Sequence, residues 1–183
     1  MSLSRVPVMT MALLVGCGGA PSTPEIKNKP LRVLSGQSDP ATRELTLRTG
    51  TCAPTPKFSA AVDDPDLTDV VRSLWFIDPN ERYAGGVSGN PAVITESTVR
   101  EVKAPPVFLQ QLTALSDGRK HRVEVVVTDG EFLEDEVVDP LTMERKPFLK
   151  VMRPSVALTD GGTQQVEAFR DEYLWLVEVT PCP

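Results

Sequence analysis

The sequence predicts an all-β fold, an antiparallel β-sandwich of about seven or eight strands that follows a signal peptide and a flexible tether. From residue 31 onward, short apolar segments alternate with polar residues at a period of two. Clusters of Asp, Gly, Pro and Ser separate these segments, and helical periodicity is nearly absent. This number of strands suits a sandwich better than a barrel. We therefore expect one domain, over residues 31–183.

Four segments carry the strongest strand pattern. Residues 58–62 alternate and then stop at the turn Asp63-Asp64-Pro65-Asp66, while residues 71–77 are apolar on both faces, which predicts a central strand covered on both sides. Residues 123–127 end at Asp129-Gly130, and residues 173–179 form the last strand before Pro181-Cys182-Pro183. Weaker strand candidates are residues 31–34, 44–49, 92–102 and 107–112.

The stretch 131–165 is a charged excursion from this regular spacing. Its first half is acidic and its second half is mainly basic, so the two halves could pair as a hairpin around Asp139-Pro140. We favour a solvated excursion held by opposite charges over a dedicated binding arm, which stays open as an alternative. The charged residues are Glu131, Glu134, Asp135, Glu136 and Asp139, followed by Arg145, Lys146, Lys150 and Arg153.

The N-terminus has the pattern of an export signal. After Arg5, the apolar run 6–15 has the length of a signal-peptide core and is too short to span a bilayer, so residues 1–16 are the predicted signal peptide. Residues 18–30 contain three prolines and few apolar side chains, which predicts a disordered tether with a reach of roughly 20 to 40 Å.

Leu14-Val15-Gly16-Cys17 resembles the lipobox of bacterial lipoproteins. The resemblance implies that Cys17 becomes the acylated N-terminus, that residues 17–30 form the lipidated tether, and that the acyl chains bind a membrane. Gly18 in place of aspartate implies the outer membrane of a Gram-negative cell, with the periplasmic or the surface face left open. An ordinary cleavable signal with a chance cysteine is the alternative.

If Cys17 is lipidated, Cys52 and Cys182 remain as an even pair. In an exported protein such a pair predicts a disulfide bond, which would link an early part of the sandwich to its last strand. Two free thiols or a metal pair are the alternatives, although no neighbouring His or Cys supplies further metal ligands.

Three segments resemble bacterial immunoglobulin-like modules of the polycystic-kidney-disease and cadherin-like kind. They are Phe58-x-Ala60-x-Val62-Asp63-Asp64-Pro65-Asp66, then 74–78 (Leu-Trp-Phe-Ile-Asp) and 121–130 (His-Arg-Val-Glu-Val-Val-Val-Thr-Asp-Gly). The resemblance implies an immunoglobulin-like sandwich with Trp75 on its central strand. The chain is also similar to Gram-negative lipoproteins that carry one such domain, most of which have no assigned function.

Composition and residue inventory argue against several function classes. The net charge of −6 disfavours nucleic acid, which is bound through Lys and Arg. The single histidine, His121, opens a predicted strand, where the resembled modules often hold a structural histidine, so nucleophilic or zinc catalysis is disfavoured. The run containing Glu131, Glu134, Asp135 and Glu136 could supply the paired carboxylates of a glycoside hydrolase, but a general acid needs burial and this run is expected to be wet. We expect no enzyme activity and no cofactor.

Two ligand classes remain as alternatives. Asp63, Asp64, Asp66 and Asp69 crowd one loop and could bind calcium as cadherin-like modules do, although Asp-Pro-Asp is also a common metal-free turn. Trp75 and Trp175 could stack on a sugar, but their alternation with aliphatic residues favours core packing. The sequence therefore predicts a non-catalytic, lipid-anchored envelope module whose partner is an unknown envelope protein or glycan; the alternatives are a calcium- or carbohydrate-binding adhesin and, less favoured, an envelope hydrolase.

Overall fold

The computed structural model describes residues 27–50, 56–79, 86–92, 96–138, 145–153, 155–157 and 161–183. Its single described α-helix, α1, spans Pro106–Ala114, and a short 3-10 turn spans Ser35–Gln37. The strands are β1 (Arg32–Val33), β2 (Glu44–Thr49), β3 (Ser59–Asp63), β4 (Arg72–Ile77), β5 (Val87–Ser88), β6 (Val99–Lys103), β7 (Lys120–Thr128), β8 (Glu131–Val138), β9 (Arg145–Met152), β10 (Val156–Ala157), β11 (Thr163–Gln164) and β12 (Arg170–Pro181).

Two sheets form the body of the molecule. A three-stranded antiparallel sheet has the order β1-β3-β6, and a five-stranded sheet has the order β2-β12-β7-β4-β5. All neighbours in the larger sheet are antiparallel except β2 and β12, which run parallel. The described residues therefore confirm the predicted all-β sandwich, and they form no closed barrel.

The core lies between the two sheets and follows the predicted alternation. Ala60 and Val62 of β3 face Trp75 of β4, Val125 of β7 and Trp175 of β12 in one buried cluster. The two indole rings stack at 6.0 Å with an interplanar angle of 14°. Each indole N–H is satisfied, one by the Ser73 hydroxyl at 3.1 Å and the other by a main-chain carbonyl at 2.8 Å, so these large side chains are buried without an unpaired donor.

The outer face of the larger sheet is also partly covered, as predicted for the strand at 71–77. Phe76 and Val126 are buried there, packed against Leu74 and against Phe132 at the start of β8. Two Gly residues flank β5 and allow close approach there. A Cβ on Gly86 would lie 2.5 Å from the Phe76 ring, and a Cβ on Gly89 would lie 2.3 Å from the Ser73 hydroxyl.

The segment 107–112, predicted as a strand, is instead the helix α1, and that prediction is wrong. Pro106 occupies the first helical turn, where its fixed φ and missing N–H are compatible with a helix. Phe108 and Leu112 are buried four residues apart, the spacing of one helix face. Of the predicted strand 92–102, the described residues form a strand from Val99, within Val99–Lys103, and an isolated bridge at Ala92.

The charged excursion contains the predicted hairpin. Strands β8 and β9 pair antiparallel from Glu131 opposite Met152 to Val138 opposite Arg145, and Asp139-Pro140 lies outside the described residues. The register places charged residues opposite apolar ones, for example Asp135 opposite Phe148. Opposite charges are therefore diagonal neighbours across the ribbon, and the predicted charge pairing stays a prediction.

The strands define two ends of the sandwich. One end, the tether pole, holds the loop that follows β3, the turn at Asp129-Gly130 and the base of the hairpin. The other end, the distal pole, holds the end of β4, the loop between α1 and β7, and the C-terminus. The chain enters the sandwich at the tether pole, where Asn28 donates from Nδ2 to the Asp129 carboxylate and to the Glu167 carbonyl.

Candidate functional site

The acidic loop that suggested calcium lies at the tether pole, immediately after β3. The carboxylates of Asp64, Asp66 and Asp69 converge so that their oxygen atoms lie within 4.8 Å of one another. Asp63 is not part of this group, because it is the last residue of β3 and pairs with Arg32 and Val99. Asp64 is fully buried, whereas Asp66 and Asp69 are partly exposed.

A buried guanidinium lies among these acceptors. Arg100 of β6 points inward, with only 1% of its side chain exposed, and it donates from Nη1 to Asp64 Oδ2 at 3.2 Å. The same group donates to the main-chain carbonyls of Asp66, at 2.7 Å, and of Asp69. Carboxylate and carbonyl oxygens are the ligands that calcium takes in proteins, and here a protein cation engages them.

A second arginine extends the network to the hairpin. Arg153, which follows β9, pairs with the Asp69 carboxylate and donates from Nε to the Asp129 carbonyl at 3.4 Å. The Asp129 carboxylate in turn accepts the N–H of Phe169 at 2.8 Å. The Asp66 carboxylate accepts the main-chain N–H of Lys29 at 2.9 Å. The cluster therefore joins Lys29, the acidic loop, β6 and the base of the hairpin.

Burial sets the electrostatics of this cluster. Desolvation raises the pKa of the Asp64 carboxyl, while the N–H of Asp66 and the Arg100 guanidinium oppose that rise. Burial likewise raises the pKa of Asp129, against the hydrogen bonds from Asn28 and Phe169. Because a buried carboxylate without a partner is strongly disfavoured, Arg100 is the group that allows Asp64 to lie in the interior.

The only histidine lies at the distal pole between two carboxylates. His121 is 3% exposed, and its Nδ1 lies 2.7 Å from Asp78 Oδ2 while its Nε2 lies 2.9 Å from Asp117 Oδ1. The hydrogen bond with Asp78 is the main cause that raises the pKa of His121, opposed by desolvation and supported by Asp117. Both ring nitrogens of His121 are therefore engaged, and the side chain links β7 to the loops that carry Asp78 and Asp117.

Of the three cysteines, the structure describes Cys182. Cys17 and Cys52 lie outside the described residues, so lipidation and pairing stay predictions. Cys182 follows β12, and its N–H donates to the Thr49 carbonyl at 2.9 Å. A Cβ on Gly50 would lie 3.5 Å from the Cys182 sulfur, so Cys182 sits beside the chain two residues before Cys52.

The remaining sequence candidates lie in the core and on the hairpin. Trp75 and Trp175 are fully buried, so neither offers a surface for a sugar. Glu131 makes a loose ion pair with Arg72 at 3.7 Å, both groups being substantially exposed. Glu134, Asp135 and Glu136 lie on β8 of the hairpin, at positions opposite Leu149, Phe148 and Pro147.

A cleft of about 390 Å³ opens beside β3, β6 and α1. Phe58 and Leu109 line its apolar part, and Lys57, Lys103 and Glu101 line its rim. Hydrogen bonds from Ser59 and Lys103 lower the pKa of Glu101, so the rim carries a paired carboxylate and not a candidate general acid.

Sequence analysis did not identify two buried charged residues, Arg100 and Glu124. Arg100 has a detectable signal, because it alternates with Glu101 and shares the inward face of its strand with Val102, where a charge is unexpected. Glu124 lies on the outer face of β7 with 1% of its side chain exposed and pairs with Arg122 at 2.6 Å. No local pattern identifies Glu124 as buried.

Comparison with protein-family models, with curated proteins and with solved structures finds no match for this chain. Among the described residues, no helix has the length and apolar character needed to cross a membrane.

Proposed function

We propose that this protein is a non-catalytic, lipid-anchored module of the bacterial cell envelope, held through Cys17 in the outer membrane. The lipobox-like Leu14-Val15-Gly16-Cys17 supports the anchor, and the sandwich supports an interaction or structural role. Stable attachment takes more than one acyl chain, because a single chain gives only reversible binding.

The observation that carries the non-catalytic part of the proposal is the environment of His121. An imidazole that acts as a general base must present a free ring nitrogen to a nucleophile or substrate. His121 is buried, and Asp78 and Asp117 hold both of its nitrogens. The chain has no second histidine, which supports a binding or structural role over hydrolysis.

The structure also supports a tether that enters at a defined end of the sandwich. Asn28 and Lys29 are hydrogen-bonded at the tether pole, so residues 18–27 connect this pole to Cys17. Ten residues span at most about 35 Å, so the tether pole would lie within that distance of the lipid surface.

The second candidate, a calcium-dependent adhesin, is favoured by one observation, the convergence of Asp64, Asp66 and Asp69. Against it stands Arg100, which already neutralises Asp64 and binds two loop carbonyls. A metal would have to displace this guanidinium from a buried position. We therefore rank calcium binding below the metal-free module.

Membrane fractionation of cells tests the proposed anchor. Wild-type protein is expected in the membrane pellet after a high-salt wash, and the Cys17→Ser variant in the soluble fraction. Cys182→Ser serves as the matched control, because it also replaces a cysteine by serine but leaves the lipobox intact. If Cys17→Ser still sediments with membranes under high salt, the anchor proposal is wrong.

A further inference from the structure

The acidic loop at the tether pole contains a β-turn that presents a leucine to solvent. The Asp69 N–H donates to the Asp66 carbonyl at 3.1 Å, so Leu67 and Thr68 are the two central residues of this turn. We name residues 66–69 the exposed turn. Turns usually carry Gly, Pro, Asn, Asp or Ser, whereas here the leucine is 41% exposed. A single exposed leucine is common on protein surfaces, so its support and its position decide what it can contact.

Three groups from other parts of the chain hold the exposed turn in place. Arg100 of β6 donates to the carbonyl of Asp66, at 2.7 Å, and to that of Asp69. Arg153, at the base of the hairpin, pairs with the Asp69 carboxylate, and the Lys29 N–H donates to the Asp66 carboxylate at 2.9 Å. The leucine therefore lies on a preorganised turn, which loses little further main-chain freedom when it binds a surface.

The same contacts neutralise much of the negative charge of the loop. Asp64 pairs with Arg100, and Asp69 pairs with Arg153. Lys29, whose side chain is exposed, adds a cation next to the turn. Lipid phosphates repel unpaired carboxylates and attract Lys and Arg. This pairing therefore lowers the electrostatic cost of bringing the exposed turn to a lipid surface.

The exposed turn lies where the chain arrives from the proposed anchor. Lys29 is hydrogen-bonded to the turn, and residues 18–27 connect the tether pole to Cys17 over at most about 35 Å. A short linker of this kind gives the tethered surface a high effective concentration at the turn. The base of the hairpin adds a second large apolar side chain at this end, Met152, which is also exposed and precedes Arg153.

We propose that the exposed turn docks on the phospholipid surface in which Cys17 is anchored, with Leu67 entering the boundary between headgroups and acyl chains. Docking removes the exposed part of the leucine from water, and Lys29 supplies a cation for the lipid phosphates. The inference rests on the lipid anchor proposed above, because one leucine without acyl chains gives only weak, reversible binding. The sandwich then rests on the lipid through its tether pole.

Quenching by brominated phospholipids tests this docking. The lipoprotein is extracted from membranes and reconstituted in phosphatidylcholine vesicles whose acyl chains carry bromine near the headgroup. Trp75 and Trp175 of the wild type are fully buried in the core, so their emission should be the same on brominated and unbrominated vesicles. Leu67→Trp adds an indole at the exposed turn, and the emission of this indole should be lost on the brominated vesicles.

The matched control is Val107→Trp. Val107 is 49% exposed, similar to Leu67, but it lies at the start of α1, beyond the end of β6 that is farther from the tether pole. Its added indole should keep its emission. Vesicle flotation reads the anchor separately. Protein that floats with the vesicles without quenching of Leu67→Trp, or with equal quenching of both variants, overturns the docking and leaves the anchor intact; protein that does not float shows that the anchor is wrong, and the docking falls with it.

Hydrogen exchange gives a second measurement on the wild-type chain. Peptides that cover the exposed turn should exchange more slowly in the vesicle-anchored protein than in Cys17→Ser mixed with the same vesicles, whereas peptides that cover α1 should not change. Leu67→Asp should abolish this slowing, and Val107→Asp should retain it. Circular dichroism of each variant checks that the sandwich is folded. Slowing that persists in Leu67→Asp would contradict the proposal.

Discussion

Replacing Arg100 with leucine should destabilise the sandwich more than any other single charge removal at the tether pole. The change leaves Asp64, whose side chain is fully buried, without its cation, and it leaves the carbonyls of Asp66 and Asp69 without the donors that Arg100 supplies. Removing one partner of a buried ion pair typically costs about 3 to 5 kcal/mol of unfolding free energy. Solvent does not screen the attraction between Arg100 and Asp64, because the Arg100 side chain is 1% exposed.

Urea denaturation of the full chain, followed by intrinsic tryptophan fluorescence, measures this loss. Trp75 and Trp175 are buried in the core and report on the whole sandwich. The matched control is Lys103→Leu on the same strand, which removes an exposed ion pair with Glu101 and should change the unfolding free energy by less than about 1 kcal/mol.

A double variant separates charge pairing from simple packing. In Arg100→Leu with Asp64→Leu, no uncompensated charge remains, so part of the lost stability should return. If Arg100→Leu alone lies within about 1 kcal/mol of wild type, the cluster is not the electrostatic core of the tether pole and the reasoning is refuted.

Three further predictions concern other parts of the sandwich. Because the pKa of folded His121 is raised, its protonated form stabilises the protein fully below the unfolded pKa of about 6.5, and this contribution is lost as pH rises through the folded pKa. In urea titrations across that range, the unfolding free energy of His121→Asn should not show this decrease. A pH profile identical to that of the wild type would contradict the prediction. Addition of about 10 mM calcium, or of a chelator, should leave the wild-type melting temperature unchanged because Arg100 engages the loop, whereas a calcium-dependent rise would revive the adhesin hypothesis. Gly89→Ala should lower the free energy of unfolding by about 1 to 3 kcal/mol, because its Cβ would overlap the Ser73 hydroxyl. The control Gly36→Ala, whose Cβ would meet nothing within 4 Å, should have little effect. Equal melting temperatures of the two variants would refute this explanation.

Much of the fold was predictable because alternation identifies half-buried strands. The segments 44–49 and 123–127 are strands in the structure, and the first coincides with β2. Trp75 and Trp175 were expected in the core and lie there. These features depend on local pattern, which the sequence contains in full.

The helix at 107–112 was missed because a short apolar run does not distinguish a strand from a buried helix by periodicity. Pro105-Pro106 was the available signal, since proline at the first helical position favours a helix start. Strand order was also beyond reach, because pairing of β2 with the last strand joins residues about 130 positions apart.

The acidic loop shows how far local reasoning extends toward a site. Sequence spacing places Asp63, Asp64, Asp66 and Asp69 in one loop, and the last three converge in the structure. The sequence offered calcium only as an alternative source of their counter-charge. The actual cation comes from β6, more than thirty residues away. Only the three-dimensional structure reveals that a long-range arginine supplies what the local pattern left open.

The N-terminus of the mature protein tests the central claim most directly. Intact mass spectrometry of the protein extracted from membranes, followed by sequencing of its first peptide, reads both the cleavage site and the modification. The account predicts a chain that begins at Cys17 and carries a diacylglyceryl group with further acylation. A chain that begins elsewhere, or an unmodified Cys17, would contradict it.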